Sequence, residues 1–511
     1  MADELAALAR SVFAVGFPGS NPAGAPLAEL HEFAPGAAIL FARNIGSEPA
    51  LRALIAELRA LSDVPPLIAV DQEGGRVARI GAPVARWPAM MAFGALADPA
   101  LCERAGLRLG GELAGLGISL DFAPVADLAL EPANTVIGTR AFGADPHAVA
   151  PLVCAFARGL ERGGVAATLK HFPGHGATST DSHVALPHVA AAAPLLRARD
   201  LVPFRDAIAA GAASLVMAAH VVVDALDPDR PASLSPRILG ELLRNELGFT
   251  GVICTDCLEM DAIAQGPGTV AGAVAALAAG ADLLLVSHTL ATARAAAEAI
   301  VAAVRSGSLP EARLRDAAAR VHRLRERFAS AQPPRAAEAI DPLDVATRAV
   351  TVVRGDVRLR PRAPVTVISF EGTSFDGAAG AASDTPSLNG ALRARRWKSE
   401  LMRVALDPDP ADIDLLLAHL TALGDRNFVV VVRRAHLHAE QRAAVERILA
   451  AVPEAVIVSA REPYDALLWP AARRVVCIYG DDALAISACA KVLAGAGAPA
   501  GRLPLAVDAV P

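Results

Sequence analysis

The segment VAATLKHFPGHG (residues 165–176) leads from an apolar run into a lysine, two histidines and a Pro-Gly loop. This order is typical of a buried strand whose polar residues emerge at its carboxyl end. More runs of this kind alternate with helical segments before residue 290: SVFAVGF (11–17), AAILFA (37–42), PLIAVDQ (66–72), ISLDFAP (118–124), SLVMAAH (214–220), GVICTD (251–256) and ADLLLVS (281–287). Together these runs predict an α/β fold, a (β/α)8 TIM-like barrel.

Polar residues follow several of these runs directly. They are Asp71, Lys170, His171, His220 and Asp256. Because active sites of (β/α)8 barrels lie at the carboxyl ends of the strands, we expect these side chains to share one face. A doubly wound sheet, whose sites also lie at strand ends, is the alternative that the periodicity leaves open.

The pattern changes near residue 330, where helical sequence ends at Gln332-Pro333-Pro334. We predict a catalytic barrel over residues 1–330, a linker over 331–345 and a smaller α/β sandwich domain over 346–511. Strands expected in the last part are PVTVISF (364–370), NFVVVVR (427–433), EAVIVSA (454–460) and RVVCIYG (474–480).

Composition restricts the partners of the chain. The net charge is −6 with acids and bases interspersed, so no basic stripe suited to nucleic acid is present. No apolar run approaches the roughly 18 residues of a membrane span, and the N-terminus lacks the pattern of a secretory signal. Scattered cysteines do not indicate a disulfide scaffold. We expect a cytoplasmic protein that binds neither nucleic acid nor membrane.

Lys170 stands out because the chain otherwise avoids lysine. Of 48 basic residues, only Lys170, Lys398 and Lys491 are lysine. A compact ammonium group approaches a hydroxyl more closely than a planar guanidinium does. A contact between Lys170 and a ligand is therefore predicted, with a chance lysine as the alternative.

The segment LKHFPGHGATSTDSHVALPH (residues 169–188) allows three interpretations. A phosphate loop is disfavoured because the Gly-Lys-Ser/Thr ending is missing, and a metal site because the histidines lack helical ligand spacing. In the third interpretation, Asp181 orients one nitrogen of His183 and leaves the other to exchange protons with a substrate. An Asp-x-His is also common in surface turns, so the pattern by itself leaves the question open.

The motif AVDQEGGRVARI (residues 69–80) brings acid and base to the end of one strand. Carboxylates accept hydrogen bonds and guanidinium groups donate them in a fixed fork, so Asp71, Arg76 and Arg79 together suit several sugar hydroxyls. A structural ion pair at a strand-to-helix turn is equally compatible with this motif.

The motif GFTGVICTDCLEMDAI (residues 248–263) ends an apolar strand at Asp256. A single carboxylate with apolar neighbours suits a nucleophile or a general base. Glu259 and Asp261 are the nearby rivals. The two cysteines in CTDC are more typical of buried apolar positions than of a zinc or redox site.

Taken together, the motifs resemble glycoside hydrolase family 3, and in particular its β-N-acetylhexosaminidase branch. The matching segments are ILFARNI (39–45), DQEGGRVAR (71–79), NTVIGTRAFG (134–143), KHFPGHG with DSH (170–183), MAAHVVV (217–223), PASLS (231–235) and GVICTDCLEM (251–260). SAREPYDA (459–466) and VLAGAGAPAGRLPLAV (492–507) resemble the α/β sandwich domain of two-domain members.

The resemblance implies a retaining exo-β-N-acetylglucosaminidase that works through a covalent aspartyl glycosyl-enzyme. Asp256 matches the nucleophile, and His183, paired with Asp181, matches the acid/base. The residues that match the sugar-binding set are Asp71, Arg79, Arg140, Lys170 and His171. No metal ion or organic cofactor is implied, and His175 is expected to shape the loop.

The resemblance also implies a carbohydrate partner, namely N-acetylglucosamine glycosides such as muropeptides from peptidoglycan recycling. A phosphorylase that uses phosphate in place of water and a β-glucosidase are the alternatives on the same fold, and a sugar-binding protein without activity is a third. In glucosidase branches the C-terminal domain can supply the acid, which here would be Glu371 or Glu400. The DSH segment disfavours that assignment.

Overall fold

The structure is a computed structural model that describes residues 2–178, 186–329, 340–372 and 387–505. Its N-terminal part is a closed barrel of parallel strands, and the doubly wound alternative is excluded. In chain order the strands are β1 (Phe13–Gly16), β2 (Ala37–Leu40), β3 (Leu67–Val70), β4 (Leu120–Asp121), β5 (Ala166–Phe172), β6 (Leu215–Ala218), β7 (Val252–Cys257) and β8 (Leu283–Val286). Each strand pairs with its neighbours in sequence, and β8 closes the barrel on β1.

The barrel strands are buried on both faces, which is why they appear in the sequence as continuous apolar runs. In β3, Leu67 and Ala69 join the cluster that fills the barrel interior, whereas Ile68 and Val70 join the cluster under the helices. The predicted run continued to residue 72, but the strand ends at Val70. Asp71 therefore stands just beyond the strand, at the rim of the barrel.

Helices surround the barrel at Ala2–Ser11, Leu27–Phe33, Glu48–Arg59, Met90–Leu96, Pro99–Leu116, Pro146–Arg162, Ala193–Ala198, Val202–Ala209, Asp261–Ala264, Thr269–Ala279, Leu290–Ser306 and Glu311–Phe328, with a π-helix at Arg237–Glu246. Outside the barrel, the short strand Gln72–Gly74 pairs with Val77–Ala78, and Val222–Val223 pairs with His188–Val189 on one side and with Asp227–Pro231 on the other. Among the described residues, no helix is long and apolar enough to cross a membrane.

Two helices approach each other closely because glycines face each other at their crossing. Pro99–Leu116 leads into β4, and Pro146–Arg162 leads into β5. A Cβ atom on Gly163 would lie 2.7 Å from the Cα atom of Gly110, closer than such atoms can approach. This contact sets the spacing of the helices that deliver β4 and β5, whose ends carry part of the site.

The C-terminal domain is a second α/β layer built on one sheet. Its strands are β9 (Thr351–Arg354), β10 (Val365–Glu371), β11 (Ser399–Ala405), β12 (Asn427–Val432), β13 (Val456–Ser459) and β14 (Arg474–Cys477). The order in the sheet is β9-β14-β13-β12-β10-β11, and β9 alone runs antiparallel to its neighbour. Its helices are Pro342–Ala349, Leu388–Ala394, Pro410–Ala422, Ala439–Ala451 and Ala483–Leu493.

The sequence prediction included the central strands β10, β12, β13 and β14 but not the two edge strands. In β11 only Ser399 is buried, so this strand has no continuous apolar run from which it could be predicted. The predicted linker overlaps the start of helix Pro342–Ala349, and residues 330–339 lie outside the described part of the chain. The exact domain boundaries therefore stay predictions.

The C-terminal domain packs against the barrel through a shared apolar cluster. Met91 and Ile137 of the barrel join Tyr464 and Trp469 of the C-terminal domain in it. Two backbone hydrogen bonds cross the same boundary: the N–H of residue 144 donates to the carbonyl of residue 504 at 3.0 Å, and that of residue 502 to the carbonyl of residue 95 at 2.9 Å. The segment of residues 129–144 thus lies between the barrel and the C-terminal domain.

Candidate active site

A cavity of about 550 Å³ opens at the carboxyl ends of the barrel strands. The predicted site residues that line it are Asp71, Arg79, Arg140, Lys170, His171 and Asp256. Asp181 and His183 belong to residues 179–185, which lie outside the described part of the chain. Every described residue of the predicted set therefore faces one pocket, of a size usual for small-molecule sites.

Lys170 is almost fully buried, with 2% of its side chain exposed. Its Nζ atom lies 2.9 Å from Oδ1 of Asp71 and 2.5 Å from Oε1 of Glu73. Burial alone would lower the pKa of Lys170, but the two carboxylates raise it above its ordinary value. Lys170 therefore keeps its positive charge beside the cavity.

Glu73 joins Lys170 to Arg140. Arg140 donates through Nε and Nη2 to the two Glu73 oxygens, each at 2.8 Å. Burial would raise the pKa of Glu73, but Arg140 and Lys170 hold it well below its ordinary range. One carboxylate thus fixes two buried cations in place. The two parallel hydrogen bonds from the planar Arg140 guanidinium fix the orientation of the Glu73 carboxylate.

Asp127 orients two histidines. Its Oδ2 lies 2.7 Å from Nδ1 of His171, and its Oδ1 accepts the backbone N–H of His175 at 2.7 Å. Burial would raise the pKa of Asp127, but His171 lowers it below its ordinary value. Because the Asp127 carboxylate is charged, Nδ1 of His171 donates to it, and Nε2 is left on the side of Arg140, 3.4 Å from Nη2.

His175 is buried next to this pair. Its Nδ1 lies 2.8 Å from the hydroxyl of Thr178, and Asn134 donates to its carbonyl at 2.8 Å. Burial lowers the pKa of His175 to about 4, so the ring is neutral near pH 7. These contacts hold the segment that leads directly to Asp181 and His183.

Asp256 lies near the end of β7 and is half-buried. Its Oδ1 accepts the backbone N–H of Cys257 at 2.7 Å, while Met217 of β6 and Leu285 of β8 line the cavity beside it. In this closed barrel β7 and β3 are opposite each other. The Asp256 carboxylate therefore lies across the cavity from the charged residues that follow β3.

The two arginines after β3 have different environments. Gln72 accepts the backbone N–H of Arg79 at 2.8 Å, and the Arg79 side chain lines the cavity. Arg76 instead donates to the carbonyls of Thr135 and Val136, both at 2.8 Å. Arg76 therefore fixes the neighbouring loop through backbone carbonyls.

His220, another residue expected at the rim, supports β7. Its Nδ1 lies 2.7 Å from the hydroxyl of Ser233, and its Nε2 lies 2.9 Å from the carbonyl oxygen of Cys257. These bonds hold the backbone next to Asp256, so His220 acts on the site through the strand.

Cys257, Glu259 and His288 form a group at the rim whose chemistry resembles that of a zinc site. Their ligand atoms all lie within 4.8 Å of one another. Burial raises the pKa of the Cys257 thiol to about 11, and the guanidinium of Arg43 faces both Cys257 and Glu259. A metal ion would need the thiolate and would meet the positive charge of Arg43, so the group is poorly suited to one.

The C-terminal glutamates considered as acids are engaged elsewhere. Glu371 accepts a hydrogen bond from Arg403 at 3.0 Å, and Glu400 pairs with Arg426. The described residues that line the cavity all come from the barrel part of the chain.

Sequence reasoning missed Glu73 and Asp127, which organise the cations and histidines of the cavity. Glu73 lies inside the quoted DQEGGR motif, and Asp127 follows the predicted strand ISLDFAP by a few residues. A charged residue close behind an apolar strand was the signal for both. Their burial, 1% and 1% exposed, could be known only from the fold.

A parallel barrel whose strand-end cavity is lined by several carboxylates and by buried cations is typical of an enzyme that acts on small polar substrates. Residues 13–324 match the family described as "Glycosyl hydrolase family 3 N terminal domain". The chain belongs to glycoside hydrolase family 3 and is a glycoside hydrolase, as its motifs predicted.

Two similar sequences and one similar structure carry related names. The chain is 44% identical over 256 residues to a Beta-hexosaminidase of Stenotrophomonas maltophilia (strain K279a), which covers 49% of this chain and 75% of that protein. It is 45% identical over 274 residues to a Beta-hexosaminidase of Pseudomonas aeruginosa (strain LESB58), covering 53% and 79%. The structure of a family 3 beta-N-acetylglucosaminidase from Paenibacillus sp. str. FPU-7 is similar over 98% of this chain and 99% of that chain, with a TM-score of 0.89 and 35% identity.

Proposed function

We propose that this protein is a retaining exo-β-N-acetylglucosaminidase. The observation that carries the proposal is the position of Asp256 in the same cavity as the buried Lys170–Glu73–Arg140 network. A carboxylate at the rim of the barrel suits attack on a sugar carbon, and a fixed set of donors and acceptors suits sugar hydroxyls. The similarity to proteins named Beta-hexosaminidase supports the N-acetyl sugar as the substrate unit.

In the first step, the Asp256 carboxylate attacks the anomeric carbon while His183 gives a proton to the leaving oxygen. The bond between the anomeric carbon and that oxygen breaks, and a covalent glycosyl-enzyme forms. In the second step, His183 takes a proton from water, and the water oxygen displaces Asp256. Two inversions at the same carbon release the sugar with its β configuration retained. Asp181 orients the His183 ring throughout.

The residues across the cavity bind the terminal sugar. Lys170 and Arg140 donate hydrogen bonds to its hydroxyl oxygens, and Asp71 accepts from a hydroxyl. Asp71 is the more open of the Lys170 pair, with 19% of its side chain exposed against 2% for Lys170. Arg79 and His171 complete the set from the rim.

We propose exo action, in which the terminal sugar enters the cavity. The barrel interior is filled by side chains such as Leu67, Ala69 and Leu215, so the terminal sugar lies at the carboxyl ends of the strands. The proposed substrates are N-acetylglucosamine-terminated fragments of peptidoglycan, broken down in the bacterial cytoplasm, as the bacterial origin of the similar hexosaminidases suggests.

The test is the rate of nitrophenol release from the β-N-acetylglucosaminide and the β-glucoside in phosphate-free buffer, with phosphate added in a parallel series. We expect preference for the N-acetyl sugar, no dependence on phosphate, and the β anomer as the first product seen by NMR. Preference for the glucoside would favour a β-glucosidase. Turnover only with phosphate, yielding a sugar 1-phosphate, would favour a phosphorylase, and the α anomer would exclude retention.

A further inference from the structure

The loop that carries Arg140 is held from its outer side by the C-terminal domain. Nε2 of His436 lies 3.0 Å from the carbonyl oxygen of Pro132, and the Tyr464 hydroxyl donates to the carbonyl of Ala129 at 3.2 Å. The His436 and Tyr464 rings meet edge to face with centroids 5.3 Å apart. Two carbonyls of a barrel loop are thus bound by side chains from the other domain.

The inner side of the same loop reaches the active site within a few residues. Asn134 donates to the carbonyl of His175 at 2.8 Å, and its side-chain oxygen accepts the backbone N–H of Ile137 at 2.9 Å. Arg140 then binds Glu73. A shift of the loop at its outer contact therefore reaches both His175 and Arg140.

The partners of His436 determine its charge. Its Nδ1 lies 2.7 Å from Oδ1 of Asp465, and its Nε2 faces the Pro132 carbonyl, which can only accept. Both ring nitrogens need a proton to satisfy these partners, and that form is the imidazolium. The pair is shielded from water, with 7% of the His436 side chain and 0% of the Asp465 side chain exposed.

We propose that His436, held by Asp465, is a positioning residue for the active site in the barrel. Its imidazolium donates to the Pro132 carbonyl and fixes the loop that presents Asn134 and Arg140 to the cavity. His436 contacts no reacting atom and acts only through this loop. The inference rests on the proposed function for its readout, which is sugar turnover.

The charges around His436 make this contact dependent on pH. Burial lowers the pKa of His436, but Asp465 and then Glu462 raise it above its ordinary value. The other charged groups that face this region are Arg461, Arg434 and Arg76 around Glu462, and Arg442, which donates to the His436 carbonyl. The contact is therefore complete below the ordinary value of 6.5 and is lost as the pH rises through the raised pKa.

The experiment compares three variants of the full chain with the wild type. His436→Ala removes the donor, and His436→Gln keeps an amide donor that does not titrate. His438→Ala is the matched control, because His438 pairs with Asp407 at 2.8 Å within the C-terminal domain. Values of kcat and KM are measured across pH on whichever aryl glycoside the wild type prefers, together with Tm.

We expect kcat/KM of His436→Ala to fall about tenfold, mainly through KM, as for a lost charge-assisted hydrogen bond. His436→Gln should recover part of this loss, and its decline at high pH should be weaker than in the wild type. His438→Ala should match the wild type. If His436→Ala proves unstable, His436→Gln and Tyr464→Phe supply the comparison.

Unchanged kcat/KM in both His436 variants would overturn the inference. So would an equal loss in kcat alone, or a pH profile of His436→Gln identical to that of the wild type. Failure of the proposed function is a separate outcome: a wild type that prefers glucosides would change the substrate and leave the comparison among variants intact.

Discussion

The two sides of the cavity differ in the residues that line them. On the side of β3 to β5, charged groups such as Lys170, Glu73 and Arg140 neutralise one another and are almost inaccessible to water. On the side of β6 to β8, Asp256 stands beside Met217 and Leu285. Opposite charges hold the side chains on the first side in fixed positions, whereas the Asp256 carboxylate is half-buried at the end of β7. Under the proposed function, the β3–β5 side is the binding wall and the β6–β8 side carries the nucleophile.

The largest expected effect comes from removing the proposed nucleophile, Asp256. Asp256→Asn keeps the shape but lacks a nucleophilic carboxylate, so turnover should fall on the order of 10⁴-fold, the scale seen when a catalytic aspartate is lost. Tm should change little. Rates on the nitrophenyl glycoside and thermal melts check both points.

Asp261→Asn is the control for this prediction, since it alters the rival carboxylate on the same side of the cavity. If Asp261→Asn were the inactive variant and Asp256→Asn kept substantial activity, the assignment of chemistry to Asp256 would be wrong.

The second effect tests His183 as the proton donor of the proposed mechanism. His183→Ala should slow substrates with poor leaving groups by about 100-fold or more, because their departing oxygen needs a proton. Activated aryl glycosides should be affected far less. A series of aryl glycosides with different leaving-group pKa values measures the slope, and equal losses across the series would exclude an acid role.

The third effect acts on the binding wall. Glu73→Gln leaves Lys170 and Arg140 buried with one fewer carboxylate, and breaking a buried pair in this way costs about 3–5 kcal/mol of unfolding free energy. KM should rise as well. Denaturant unfolding gives the free energy, and Glu48→Gln, which breaks an exposed pair with Arg52, should cost no more than about 1 kcal/mol. Similar losses in the two variants would mean that the network is not a buried one.

The smallest effect is a pH dependence on the binding wall. The pKa of His175 is lowered from 6.5 to about 4 in the folded chain. Between these two pH values, the unfolded chain binds a proton at His175 and the folded chain does not. Between pH 6.5 and 4 the wild type should lose about 3 kcal/mol more unfolding free energy than His175→Gln. Denaturant midpoints across this range measure the difference, and parallel curves would place His175 in contact with water.

The barrel strands could be predicted from the sequence, because strands buried on both faces appear as unbroken apolar runs. The residue directly after such a run, as with Asp71, then falls at the strand-end face. Edge strands such as β11 leave no such run, since only one of their residues is buried. Pairings between distant segments cannot be predicted from the sequence either. No residue near Pro132 in the sequence indicates that His436 lies against it. Those contacts depend on how the barrel and the C-terminal domain pack against each other.

The burial of Lys170 has a practical consequence. Lys398 is exposed and Lys491 is half-buried, whereas Lys170 is the one lysine sealed inside the barrel. Amine-acylating reagents applied to the native protein will therefore modify the first two and spare Lys170. Any modification of Lys170, read by peptide mass spectrometry, then reports how far the reagent enters the cavity. Because the chain has only three lysines, Lys170 is a single-site probe of that cavity, and a bound sugar should slow its modification.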